Sequence, residues 1–142
     1  VTAGLFRTEI TVGWGDCDPL GIVYYPNYFG WFDDGTHGLL GAAGFDQRAI
    51  IARFGVLGTP LVDAGAKFRQ PSSYGDILVL ESRVEAWSAK SFRMSHLLLK
   101  DGSPAVEGWE IRVFLATDPE DPARRRAVAV PPEFRLALTP ET

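Results

Sequence analysis

Trp14-Gly15-Asp16-Cys17-Asp18-Pro19-Leu20-Gly21-Ile22-Val23-Tyr24-Tyr25-Pro26-Asn27-Tyr28 is the stretch across which the chain changes its period. Before it, Phe6, Thr8, Ile10, Val12 and Trp14 alternate with Arg7, Glu9, Thr11 and Gly13, the pattern of a half-buried strand from Phe6 to Trp14. After it, from Asn27 to about Ala43, the residues Phe29, Phe32, Thr36, Leu39, Leu40 and Ala43 recur at steps of three and four, the pattern of a helix. The Gly, Asp and Pro density from Gly15 to Tyr25 marks a loop. Pro26 suits the first helical position because its missing N–H would be unpaired there anyway, and Gly44 suits the terminator.

The helix carries Gly30, Gly35, Gly38 and Gly41, each costing about 1 kcal/mol relative to Ala in a helix interior. Tertiary packing must therefore hold it, and a central helix closely approached by a sheet or a second subunit would use those glycines. Gln47 to Phe54 reads as a short helical turn or loop. Beyond Gly58-Thr59-Pro60 the chain is strand-like to its end, in the runs Leu61–Arg69, Ile77–Trp87, Ser91–Lys100 and Ala105–Thr117. Turn signals separate these runs at residues 71–76, at Asp101-Gly102 and at residues 118–122. One strand, one long helix and four further strands predict an α+β fold, a curved antiparallel sheet of about five strands wrapped around one helix. No repeat or linker interrupts the chain, so residues 1–142 read as one domain.

With 46% hydrophobic and 23% charged residues, the chain can build a core without disulfides or a structural metal, and disorder is excluded. A net charge of −4 disfavours a nucleic-acid or anionic-membrane surface and favours small-molecule partners. No apolar run approaches the roughly 20 residues that cross a bilayer. The single cysteine, Cys17, and the lack of a secretory pattern predict a cytoplasmic protein.

Several catalytic plans find no residues here. There is no Gly-x-Ser-x-Gly elbow, no phosphate loop, and no His-Glu-x-x-His or paired-Cys spacing for zinc. Cys17 has a carboxylate on either side, which disfavours the thiolate, and in an extended loop it points opposite to Asp16 and Asp18. Asp16 and Asp18 leave open both a local backbone cap and a carboxylate-bound metal. Asp33 borders the apolar stripe of the helix, where a substrate-facing carboxylate, an exposed charge and an i,i+4 partner for His37 are all consistent with its spacing; Asp34 reads as solvent-facing.

The quoted stretch, together with Gly58-Thr59-Pro60, Tyr74-Gly75-Asp76, Lys90-Ser91-Phe92 and Glu110-Ile111-Arg112-Val113-Phe114, resembles the 4-hydroxybenzoyl-CoA thioesterases of the hotdog fold. The resemblance covers most of the chain and implies an acyl-CoA thioester hydrolase acting on an aryl-CoA. Aliphatic acyl-CoA hydrolysis and non-catalytic acyl-CoA binding stand as alternatives. It implies that the backbone N–H of Tyr25 polarises the thioester carbonyl and that Asp18 attacks it or activates water. It associates Asp33 with the aromatic acyl group, Thr59 with the thioester and Lys90 with the nucleotide part of CoA. Ser88 and Ala89 replace the basic residues that often precede this lysine, and Arg124-Arg125-Arg126 offers either another phosphate contact or a solvated face. The chemistry so implied uses no cofactor and no metal, and the resemblance implies a homo-oligomer, a dimer or dimer of dimers with a shared active site.

Overall fold

The computed structural model describes residues 4–140. In chain order it contains β1 (Leu5–Thr11), a 3-10 turn (Trp14–Asp16), α1 (Pro26–Ala42), α2 (Gln47–Phe54), β2 (Leu61–Phe68), β3 (Ile77–Trp87), β4 (Ser91–Lys100), β5 (Ser103–Thr117), β6 (Arg125–Val128) and α3 (Pro132–Leu138). All pairings are antiparallel, in the order β1-β3-β4-β5-β2, with β6 added to the last residues of β5.

Two expectations need correction. The first strand stops at Thr11 rather than Trp14, because the Gly13 N–H turns back to the Asp16 carboxylate (2.8 Å) and starts the 3-10 turn. That turn leaves Trp14 facing solvent at 78% exposure. The expected sheet of about five strands is present as β1-β3-β4-β5-β2, and a short sixth is added where Arg125–Val128 pairs with Phe114–Thr117. Finally, the chain does not remain strand-like to its end: Pro132 opens α3, whose Phe134 and Leu138 are buried. A run of three arginines concealed the strand, and a pair of prolines concealed the helix start.

Alternation along the inner strands sets the core. On β4, Phe92, Met94, His96 and Leu98 are buried while their neighbours are half-exposed. Phe92 and Met94 join Phe114, Phe134, Leu40 and Ile50 in one apolar cluster, whereas Leu98 joins Leu78, Leu80, Phe32 and Tyr28 in a second. Between them runs a polar row, Ser82 on β3 opposite His96 on β4, opposite Gly108 on β5.

Helix α1 lies over this row. A Cβ at Gly35 would stand 2.3 Å from the Ser82 hydroxyl oxygen, and one at Gly108 the same distance from the Phe32 ring, so both glycines are needed for the approach. Phe32 stacks on His96 at 5.0 Å between ring centroids. Gly38 is likewise filled by Phe6, but a Cβ at Gly30 or Gly41 would meet nothing among the described residues, so among these two of the four helical glycines serve packing. Strand β2 is an edge, with Leu61, Val62 and Phe68 exposed.

Candidate active site

The loop leading into α1 is folded tightly on itself. Cys17 and Val23 form an antiparallel bridge, the Asp18 N–H donates to the Ile22 carbonyl (2.9 Å), and the Tyr24 N–H donates to the Asp16 carbonyl (2.8 Å). Gly21 closes the turn at φ +80°, a conformation that L side chains rarely adopt. Asn27 of α1 donates its side-chain amide to the Asp16 carbonyl (2.8 Å), and the Val23 N–H donates to Ser72, fastening the loop to helix and sheet.

Asp16 is structural, as its hydrogen bond to Gly13 requires. Asp18 accepts from the Leu20 N–H through Oδ1 (2.8 Å), so the turn role open to it is real. Its Oδ2 has no partner among the described residues, and the carboxylate lines a cavity of about 330 Å³ with Trp14, Cys17, Pro19, Gly21 and Tyr74. Cys17 is half-buried against the second apolar cluster, its thiol directed to the Gly13 carbonyl.

At the start of α1 the backbone donors are unequally used. Those of Tyr24, Asn27 and Tyr28 donate to Asp16, Tyr24 and Tyr25 carbonyls, and Pro26 has none. The Tyr25 N–H meets no acceptor among the described residues, and Tyr25 already has helical torsions as the cap residue. A free donor at the positive end of a 17-residue helix can stabilise an oxyanion.

Asp33 and Thr59 meet elsewhere, around Arg112. The Arg112 guanidinium donates to Asp33 Oδ1 (2.6 Å) and to the Thr59 carbonyl (3.1 Å), and Asp33 Oδ1 is also 3.3 Å from His37 Nε2. Both the substrate-facing position and the His37 partner open to Asp33 are thus compatible with one rotamer, while Asp34 is exposed. Thr59 is buried and clamped by Gln47, whose amide nitrogen donates to the Thr59 hydroxyl (2.9 Å) and whose amide oxygen accepts from the Thr59 N–H (3.2 Å). The hydroxyl proton remains free to donate. His37, Gln47, Thr59, Arg112, Leu115 and Arg125 line a cavity of about 430 Å³.

Behind Arg112 lies a buried polar cluster. Glu110 accepts from Arg112 (3.2 Å to each oxygen), from His96 Nε2 (3.1 Å) and from the Thr36 hydroxyl, and Ser82 meets His96 Nδ1 at 2.7 Å. Burial alone would raise the Glu110 pKa. The hydrogen bonds from His96, Arg112 and Thr36 overcome it and hold the carboxyl down at about 2. Sequence reasoning missed Arg112, Gln47 and this cluster. In Trp109-Glu110-Ile111-Arg112-Val113, apolar and charged residues alternate as in any strand, and hydrophobicity points the wrong set inward.

Lys90 occupies the exposed β3–β4 turn, where the Ala89 carbonyl accepts from the Val130 N–H (2.9 Å). Thr59, at the entrance to β2, and β6 lie toward this same end of the sheet, since Gly58 and Ala127 both pair with Leu115. Asp18 and Tyr25 lie toward the other end, where Ile22 bridges Ser73 and Val12 bonds Asp76. Strands of 10–11 residues put these ends about 33 Å apart. Asp18 and Tyr25 therefore lie toward one end and Thr59 and Lys90 toward the other, while Asp33, on α1 about 12 Å along the helix from Tyr25, is joined to Thr59 through Arg112.

This architecture is found in known enzymes. A family model described as the thioesterase-like superfamily matches residues 12–138. The chain belongs to that superfamily. It is 35% identical over 129 residues to the 4-hydroxybenzoyl-CoA thioesterase of Pseudomonas sp. (strain CBS-3), covering 87% of this chain and 89% of that one. A crystal structure of an aspartate-to-asparagine variant of 4-hydroxybenzoyl-CoA thioesterase, complexed with 4-hydroxybenzoyl-CoA, is 33% identical, with a TM-score of 0.82 over 96% of this chain and 100% of that one. A gentisyl-coenzyme A thioesterase structure is 29% identical, with a TM-score of 0.77 over 94% and 98%. The superfamily member described here has the hotdog fold of these enzymes, with α1 wrapped by the sheet. Among the described residues no helix is long and apolar enough to cross a membrane.

Proposed function

We propose that this chain, an acyl-CoA thioesterase by family, hydrolyses an aryl-CoA such as 4-hydroxybenzoyl-CoA, with Asp18 as nucleophile or general base and the Tyr25 N–H as donor to the developing oxyanion. The observation that carries the reading is the presence in one short loop of an unengaged Asp18 oxygen and an unengaged helix-terminal N–H, each beside a cavity. The likeness to enzymes named for 4-hydroxybenzoyl-CoA and gentisyl-CoA supports an aromatic acyl group. Asp33 then accepts a hydrogen bond from the ring hydroxyl, Thr59 donates near the thioester, and Lys90, with Arg124 to Arg126, meets the CoA phosphates.

Because Asp18 and Tyr25 lie toward one end of the sheet and Thr59 and Lys90 toward the other, the complete site forms between two copies of the chain, with Asp18 and Tyr25 from one and Thr59 from the other. The exposed apolar edge at β2 supports such an assembly. A thiol-release assay over aromatic and aliphatic acyl-CoA substrates tests the acyl class; faster aliphatic turnover would defeat the aryl reading, and tight binding without CoA release would leave a binding module. Mixing Asp18→Asn chains with Thr59→Val chains tests the sharing. Random reassortment should restore about a quarter of the wild-type sites in a two-fold assembly, whereas no recovery after verified subunit exchange would place the whole site in one chain.

A further inference from the structure

We propose that Arg112 is the positioning residue for acyl recognition: one guanidinium fixes Asp33 of α1 and the Thr59 carbonyl before β2, so that Asp33 Oδ2 is presented to a hydrogen-bond donor on the acyl group. The inference rests on the reading of Asp33 as the residue that meets the acyl hydroxyl.

Arg112 is 4% exposed, and its nitrogens divide between two tasks. Toward the interior, Nε and Nη2 each lie 3.2 Å from an oxygen of Glu110. On its other side, Nη1 donates at 3.1 Å to the carbonyl of Thr59, which lines the cavity, and Nη2 at 2.6 Å to Asp33, which is half-exposed beside the cavity residue His37. A buried ion pair satisfied only by its own members adds little stability over an apolar pair of the same volume. Here the guanidinium also joins two separate elements, a helix and the entrance to a strand, at the wall of the cavity it lines with Thr59 and His37.

The cluster behind it supplies rigidity. Glu110 is held by Thr36 from the helix and by His96 from β4, and His96 is held by Ser82 from β3. Arg112 therefore cannot turn without unpairing a buried carboxylate, a costly event. Its charge also keeps Asp33 Oδ1 occupied, and His37 faces that same oxygen at 3.3 Å. Oδ2 is left as an acceptor with a fixed direction, suited to a hydroxyl and repellent to an acyl carboxylate. Lysine replaces this function only in part, because a single ammonium keeps the charge but does not span a carboxylate, a carbonyl and a second carboxylate in one plane.

The test compares kcat/KM for 4-hydroxybenzoyl-CoA and benzoyl-CoA in the full-length protein. Arg112→Met alone strands Glu110, so Glu110→Gln/Arg112→Met removes both charges together, and Arg112→Lys serves as a milder variant. The expected result is a loss of preference for the hydroxylated substrate of about 10- to 100-fold in the double variant, with a smaller loss in Arg112→Lys. Asp33→Asn should lose the same preference, and adding it to the double variant should cost no further selectivity. A merely structural role would lower both substrates alike. Preference retained in the Arg112 variants but lost in Asp33→Asn overturns the positioning role alone. Preference retained in both overturns the reading of Asp33, and the inference with it. If the double variant does not fold, Arg112→Lys decides between these outcomes.

Discussion

At the N-terminus of α1, the Tyr25 N–H and one oxygen of Asp18 are unengaged among the described residues, whereas two to three turns further along, where Asp33 and Thr36 of the helix meet β5, every nitrogen of Arg112 and both oxygens of Glu110 are hydrogen-bonded. The loop is half-exposed and keeps bonding capacity for a ligand. The cluster is buried and uses its capacity on itself. One helix thus carries a reactive end and a fixed middle, and substitutions in the two regions should separate turnover from stability.

The sharpest contrast comes from Asp18→Asn. It preserves shape and the Leu20 hydrogen bond but removes the charge, so turnover should fall by a factor on the order of 10² to 10⁴ with the unfolding transition nearly unmoved. Steady-state assays beside thermal melts check this, and near wild-type turnover would break the comparison at its reactive end. Glu110→Ala should do the reverse in kind. It strips the Arg112 guanidinium of its buried partner, leaving half-exposed Asp33 as its counter-ion, and should cost up to about 3 kcal/mol of stability, read by urea unfolding.

Acid sharpens the same difference. The Glu110 carboxyl titrates at about 2 in the folded chain against an ordinary 4.5, so the stability it contributes is complete above pH 4.5 and is lost as pH falls toward 2. Unfolding free energies measured from pH 6 down to 3 should decline by an amount on the order of 2 kcal/mol more in the wild type than in Glu110→Gln/Arg112→Met, which has no such group. Parallel declines would show that the cluster does not carry its charge. The smallest effects belong to the helical glycines. Gly35→Ala should destabilise by about 1–3 kcal/mol because its Cβ meets the Ser82 hydroxyl at the polar row, and Gly41→Ala should stabilise by up to about 1 kcal/mol because its Cβ meets nothing among the described residues. If Gly41→Ala instead destabilises, a second chain packs on that face.

Sequence carried the fold where hydrophobic period and burial agree. The bounds of α1, β3 and β4 follow from spacing because each buries an apolar stripe with turn residues at its ends, whereas Gln47–Phe54, left open as a helical turn or loop, is a helix that buries Ile50 alone. They disagree on β5, where Glu110 and Arg112 face inward, and there pattern reading misplaces the charges. β6 was illegible for a related reason, since its first two residues are arginines whose backbone, not side chains, makes the contact with β5. At the candidate site, the Asp18 loop was legible from its Gly and Pro chemistry and from family likeness. The Gln47 clamp on Thr59 was not, because it joins residues twelve apart through side-chain atoms that no local propensity encodes.

The exposed edge of β2 carries a kinetic consequence. If two chains must meet along Leu61, Val62 and Phe68 before Asp18 faces its partner's Thr59, the number of working sites below the dissociation constant grows with the square of protein concentration. Specific activity then ceases to be a constant of the preparation. It falls on dilution and recovers on concentration, so abundance itself becomes a throttle on thioester turnover.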